Sequence, residues 1–422
     1  MSVQGVRRRS LWRTALVLFS VLGPGFVTAS AGNDVGGIAT YSAAGAAFGY
    51  RVLWVLVPLA ISLIVVQEMA TRMGVVTGKG LAALIRENFG VRISIFAMLG
   101  LFLINTGITA TEFVGIATAS EMFHISRYIA VPIALVAVFL FILRMNNKVV
   151  ERTFVVFSLL YLTYIVSALK VGPDWHAVAT GFVPDLHFNN AAYLVMIVGL
   201  IGTTISPYMQ FFLQSQVVEK GTGDEELTLA RADVINGSIL AIALAGFMII
   251  ANAATIFVAN QHGAHVAPTQ AADFAKALEP LAGDFAATIF ALGILNAGLF
   301  TATVLPLSTS YVICEALGFE AAVDRKFSEA PVFFTLFAIG LLVGAGIVLI
   351  PGIPYLQFTI YAQVLQGILL PPELVLMLIV INKRSVMGKH VNSPLFNAIA
   401  WATVVIVGGL SVFYVVQTVT GG

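Results

Sequence analysis

The chain has 422 residues, 59% of them hydrophobic and 10% charged, with a mean hydropathy of +0.95. No water-soluble core of this length buries so much apolar surface, so an all-α membrane protein with many spans is expected. The formal net charge of +1 excludes an electrostatic nucleic-acid partner, and the single cysteine, Cys314, excludes an internal disulfide and a multi-cysteine metal cluster.

The first residues, Arg7-Arg8-Arg9-Ser10-Leu11-Trp12-Arg13 before an apolar run, resemble a signal peptide. The run continues past Thr40 with no clear small-residue cleavage site, so it reads as the first span instead. Eleven segments can cross about 30 Å of hydrocarbon: 14–47, 52–72, 93–119, 128–144, 151–171, 190–216, 232–259, 281–314, 331–350, 355–382 and 395–417. With the amino terminus cytoplasmic, 18 of the 22 basic residues fall on the inner side, leaving Arg51, Arg127, Lys170 and Lys276 outside. That bias fixes an odd number of spans and places the carboxyl terminus outside, in a multi-pass protein of the cell membrane. Loops are short, so residues 1–422 form one domain. The segments Gly172-Pro173-Asp174-Trp175 and His262 to Glu279 read as external loops.

In the first span, Gly32-Asn33-Asp34-Val35-Gly36-Gly37 sets a carboxylate where hydrocarbon surrounds it, at a cost on the order of 3 kcal/mol. The two glycines after it make a local break plausible, and unwound backbone offers carbonyl ligands to a cation. The third span carries a second carboxylate, Glu112, suited either to accept a proton or to tie helices together through hydroxyls. The sixth is interrupted at Gly202-Thr203-Thr204-Ile205-Ser206-Pro207. Proline removes an amide donor and frees the oxygen of Thr203, which together with the Ser206 hydroxyl can face Asp34. The same residues equally fit a proline kink whose Ser and Thr satisfy the freed backbone. Interrupted helices at matching places of two halves point to an inverted repeat with its site between the breaks. Residues 1–171 and 190–382 are then the repeats, with 395–417 an added helix. In the tenth span, Glu373 follows Pro371-Pro372; it and Glu315, at the end of the eighth, either line an inner vestibule or are solvated helix ends.

The runs Gly23-Pro24-Gly25-Phe26, Asp34 to Thr40, Gln67 to Gly78, Ser206-Pro207 and Asn382 to Gly388 resemble the Nramp metal transporters, in order along nearly the whole chain. The resemblance implies a LeuT-type fold of five-plus-five inverted repeats with discontinuous helices 1 and 6. It also implies transport of divalent transition metals into the cytoplasm, commonly with protons. No resident cofactor is implied, since the metal is the substrate. The family's Asp-Pro-Gly-Asn motif, whose Asp and Asn bind the metal, is matched by Asp34 and Gly36. Val35 stands for the Pro and Gly37 for the Asn. The family's carbonyl-donating Ala and thioether Met before the proline correspond to Thr203 and Ser206, and Gln363 matches a Gln that can reach the metal on closure; its other reading is an interhelical amide bond.

The expected metal ligands are therefore Asp34, Gly37, Thr203, Ser206 and Gln363. A donor set without the soft thioether favours hard, partly hydrated cations, Mg²⁺ or Mn²⁺, over Cd²⁺. This resembles the Nramp-related magnesium transporters. Where the family has a His after the proline and an Asp three residues before the Glu, this chain has Tyr208 and Thr109. All six histidines fall in loops, so uptake without protons is an option. The membrane potential alone supplies roughly 4.6 kcal/mol per 100 mV to a dication. Two alternatives stand beside it. One is a proton-coupled Mn²⁺/Fe²⁺ symporter. The other is a sodium-coupled amino-acid carrier on the same fold, disfavoured because Asp34 would repel a substrate carboxylate. No His pair, Ser-His arrangement or HExxH run lies in a span, so an enzyme is not expected.

Overall fold

A computed structural model of the protein describes residues 33–144, 162–186, 190–263, 268–279, 283–319 and 327–420. The Gly23-Pro24-Gly25-Phe26 run, the first part of span 14–47, most of span 151–171, the basic residues Arg7, Arg8, Arg9, Arg13, Lys148, Arg152, Arg325 and Lys326, and His187 and His265 lie outside them.

Every regular element among the described residues is helical. The main helices are α1 (Val35–Phe48), α2 (Leu56–Thr77), α3 (Leu81–Met122), α4 (Arg127–Arg144), α5 (Leu162–Val171), α6 (Ala191–Thr204) and α7 (Pro207–Glu219). They continue with α8 (Leu227–Asn252), α9 (Ala286–Leu317), α10 (Pro331–Val348), α11 (Tyr355–Ile381) and α12 (Pro394–Thr420). Among the described residues, eight stretches are long and apolar enough to cross a membrane, while α4 and α5 are shorter apolar helices. Phe96, Leu103, Val405 and Val412 are each more than 60% exposed, the pattern of side chains that face lipid.

Two boundaries differ from the sequence reading. The segments 14–47 and 52–72 meet in one apolar stretch, Val35–Thr77, bent through the 3-10 turn Gly49–Val55. Gly49 has φ 63 there, and a β-carbon on it would lie 2.7 Å from the Phe257 ring. Helix α3 starts twelve residues before the expected 93 because it is two helices joined at Gly90, whose φ of 82 turns a short segment into the long span. The expected external loop after His262 also folds back: Ala271–Leu278 is helical, and Phe274, Ala277 and Leu278 are buried.

Small residues set the closest helix crossings, because two backbones approach only where no β-carbon intervenes. Gly45 of α1 abuts the Ile249 carbonyl of α8, and Gly298 of α9 sits 2.7 Å, measured from its would-be β-carbon, from the Glu112 carbonyl of α3. Gly202 of α6 and Gly367 of α11 meet at the third crossing. At one end of the bundle a buried polar knot holds α2 to the segment before α12. Glu68 accepts from Arg72 at 3.0 Å and from Arg231 at 2.7 Å, and Arg72 donates to the carbonyls of His390 and Val391 and to Asn392.

Candidate cation site

Among the described residues, Asn33 and Asp34 are non-helical and the helical part of the first span begins at Val35. Asp34 is extended (φ −67, ψ −176) and caps α1, its Oδ1 accepting from the Gly37 N–H at 2.6 Å. Helical geometry begins at Val35, so Gly36 and Gly37 form the first turn and their amides point toward the carboxylate. Asp34 is 2% exposed. The N-terminal end of a helix favours the anion that an apolar surround penalises.

Glu112 stands beside it. Its Oε2 accepts from the Val35 N–H at 3.3 Å and its Oε1 from the Thr111 hydroxyl at 3.4 Å, so both carboxylates attach to the same helix end. The hydroxyl of Thr109 is engaged elsewhere, on the Asn105 carbonyl at 2.7 Å.

The second interruption is where the proline placed it. Helix α6 ends at Thr204, Ile205 and Ser206 are non-helical, and Pro207 opens α7. The Ser206 hydroxyl donates to the Gly202 carbonyl at 2.9 Å and leans on that of Thr203 at 3.4 Å, so it satisfies the backbone that the break releases. The Thr203 hydroxyl, in contrast, is buried without a partner among the described residues. Thr204, the last residue of α6, ties it to the middle of α1, its hydroxyl 2.8 Å from that of Tyr41. Tyr208, on the first turn of α7, is 1% exposed.

Gln363 of α11 touches both interrupted segments. Its side-chain amide fills the space over Gly36, where a β-carbon would also lie 3.2 Å from Asp34 Oδ1, and its backbone carbonyl abuts Gly202. Gln363 Nε2 has no partner among the described residues, while Oε1 accepts from Gln366 at 3.1 Å. The structure therefore gathers Asp34, Gly36, Gly37 and Gln363, with Glu112 behind the helix end.

One residue quoted in the first-span run received no role from the sequence. Asn33 is 1% exposed, and neither its amide oxygen nor its nitrogen has a partner among the described residues. Buried amides are nearly always paired, and this one lies next to the Asp34 carboxylate in the chain. Its adjacency to Asp34 was the available signal.

Ser206, which caps α7, is followed at four-residue spacing by Gln210 and Gln214 on one face of that helix. Both amide atoms of Gln210 are buried without a partner among the described residues, as are those of Gln67 on the neighbouring α2. Gln214 Nε2 donates to the Lys79 carbonyl. The stripe leads toward a cavity of about 520 Å³ lined by Gly80, Ser308, Tyr311, Glu219 and Glu315. Glu315 accepts the Gly80 N–H at 2.7 Å and lines that cavity. Among the described residues no His lies in a long apolar helix, and no three His, Cys, Asp or Glu converge.

Residues 25–417 match the model of the Nramp, natural resistance-associated macrophage protein-like, family. The chain is 28% identical over 408 residues to the divalent metal cation transporter MntH of Yersinia pestis (strain Pestoides F), covering 95% of this chain and 96% of that one. MntH of Yersinia pseudotuberculosis serotype O:3 (strain YPIII) matches to the same extent. In fold, the chain is similar to the Eremococcus coleocola manganese transporter in complex with an aromatic bis-isothiourea substituted compound, with a TM-score of 0.75 at 22% identity over 96% of this chain and 87% of that one. MhsT in complex with L-phenylalanine is similar in fold at TM-score 0.59 and 14% identity, over 93% of this chain and 98% of that one.

Proposed function

Because the chain belongs to the natural resistance-associated macrophage protein-like (Nramp) family, we propose that it carries divalent metal cations into the cytoplasm through a site centred on Asp34. The single observation that carries this reading is the buried Asp34 carboxylate at the α1 terminus, with the Gln363 amide over Gly36 closing the other side.

The donor set favours hard ions. Asp34 supplies a carboxylate, Gly37 stands where the family has its Asn, and Ser206 stands where it has a thioether. Oxygen donors with retained water suit Mg²⁺ and Mn²⁺, whereas Cd²⁺ gains most from sulfur. The orphan amide of Asn33 offers a replacement for the missing one, approaching from the residue before Asp34. The unpartnered Thr203 hydroxyl is a further oxygen at the second break. Gln363 can present its oxygen once its amide and that of Gln366 turn over together, since Gln363 Nε2 would then donate to Gln366 Oε1, which now lacks a partner.

The route inward follows Ser206, Gln210 and Gln214 to the cavity at Glu315. Movement proceeds down the electrochemical gradient without protons, because Tyr208 and Thr109 hold the places of the titratable groups that the family uses. A coupled mode has one observation in its favour: Glu112 is anchored to the same helix end as Asp34, so a proton there would sense the metal.

The test is uptake into proteoliposomes loaded with Mg²⁺- and Mn²⁺-sensitive dyes, with internal pH followed in parallel. Entry of Mg²⁺ or Mn²⁺ without acidification supports the hard, uncoupled reading. Entry of Mn²⁺ alone with acidification overturns it, and no divalent entry at all overturns the transport reading.

A further inference from the structure

Glu373 contradicts the expectation of a solvated helix end. It lies within α11, eight residues before Ile381 closes the helix, and is 8% exposed. Neither carboxyl oxygen has a hydrogen-bond partner among the described residues. It borders a cavity of about 480 Å³ whose walls are otherwise apolar: Ile93, Phe96 and Leu101 from α3, Phe211 from α7, Leu369 and Leu376 from α11. Phe96 is 79% exposed and Ile93 44%, so the α3 wall stands at the lipid-facing surface.

This is the usual make-up of a small-molecule site: a concave apolar volume of several hundred Å³ with one polar group fixing orientation. An ionised carboxylate left unpaired among apolar walls is costly, and a cation that brings its own apolar body both pairs the charge and fills the space. A metal ion does not fit, since the walls offer it no second ligand. A phospholipid amine fits poorly, because no basic residue borders the cavity to meet its phosphate.

We propose that the cavity at Glu373 is a binding site for free hydrophobic amines, which enter from the bilayer and pair an ammonium with the carboxylate. Pro207, the first residue of α7, also borders the cavity, so an occupant joins α7 to α11 directly after the second break. The occupant thereby restrains α7 and slows transport, a consequence that rests on the transport reading; the binding itself does not.

Calorimetry on the detergent-solubilised full chain tests it with 4-phenylbutylamine at neutral pH, and with 4-phenylbutanol as the uncharged counterpart that reports partition into the micelle. The amine is expected to bind at least tenfold more tightly than the alcohol, and Glu373→Gln to abolish that preference. A second variant, Gly100→Leu, fills the cavity from α3, where a β-carbon on Gly100 would meet nothing within 4 Å, and is expected to weaken both ligands' saturable binding. Equal affinity for amine and alcohol in the unmodified protein, or an amine preference that survives Glu373→Gln, overturns the site. Because binding is read without any transported ion, these outcomes are separate from a failure of the metal reading. If amine binding holds but Mn²⁺ uptake is not slowed by saturating amine, the restraint on α7 is overturned and the site stands.

Discussion

The side-chain amide of Gln363 occupies the volume that a β-carbon on Gly36 would need, 327 positions earlier in the chain. That contact brings α11 over the start of α1 beside Asp34, and the backbone carbonyl of the same Gln363 rests on Gly202 at the second break. One residue on a third helix thus bears on both interruptions. Its position there gives the cation site a wall that neither broken segment supplies.

Gly36→Ala should therefore push Gln363 away from Asp34 and lower thermal stability in detergent by several degrees, since overpacking a filled interior costs roughly 1–3 kcal/mol. Adding Gln363→Ala makes room and should restore most of the melting temperature without restoring metal flux. A melting temperature that stays low in the double variant would show that Gly36 meets some other group.

Asp34→Asn keeps the shape of the helix cap and removes the charge. Divalent uptake should fall at least a hundredfold while the melting temperature changes little, because Asn caps helices about as well as Asp. Flux within a few-fold of the unmodified protein would move the site away from Asp34.

Asn33→Ala should weaken Mn²⁺ binding by about tenfold, which corresponds to about 1.4 kcal/mol. It should not destabilise the fold, since its amide has no partner to lose among the described residues. Calorimetric binding that is unchanged by this variant would remove Asn33 from the donor set.

Ser206→Met offers a thioether at the second break and should raise Cd²⁺ affinity relative to Mn²⁺. The Ser206 hydroxyl now serves the carbonyls of Gly202 and Thr203, so the substitution also frees those oxygens. Unchanged Cd²⁺ binding would mean that the side chain at 206 faces away from the ion.

Arg72→Ala leaves Glu68, whose side chain is 4% exposed, with only the half-exposed Arg231 for a counter-charge. Breaking a buried pair from one side costs about 3–5 kcal/mol, so a fall in melting temperature of many degrees is expected. Glu68→Gln with Arg72→Met should recover part of the loss. If Arg72→Ala melts like the unmodified protein, the knot at Asn392 contributes little to stability.

The sequence by itself determined the membrane class, the helical architecture, the carboxylate in the first span and the break before Pro207. Each of these is local: hydropathy is summed over one window, a buried charge stands out against its neighbours, and proline disrupts the turn it sits in. Only the tertiary structure decided which polar atoms are engaged and which are left over. The Ser206 hydroxyl turned to its own backbone, the amide of Asn33 has no partner among the described residues, and Glu373 came to rest beside α3 and α7. Those outcomes depend on how helices far apart in the chain cross, and the crossings are set by glycines such as Gly202 and Gly367 whose partners no window of sequence contains.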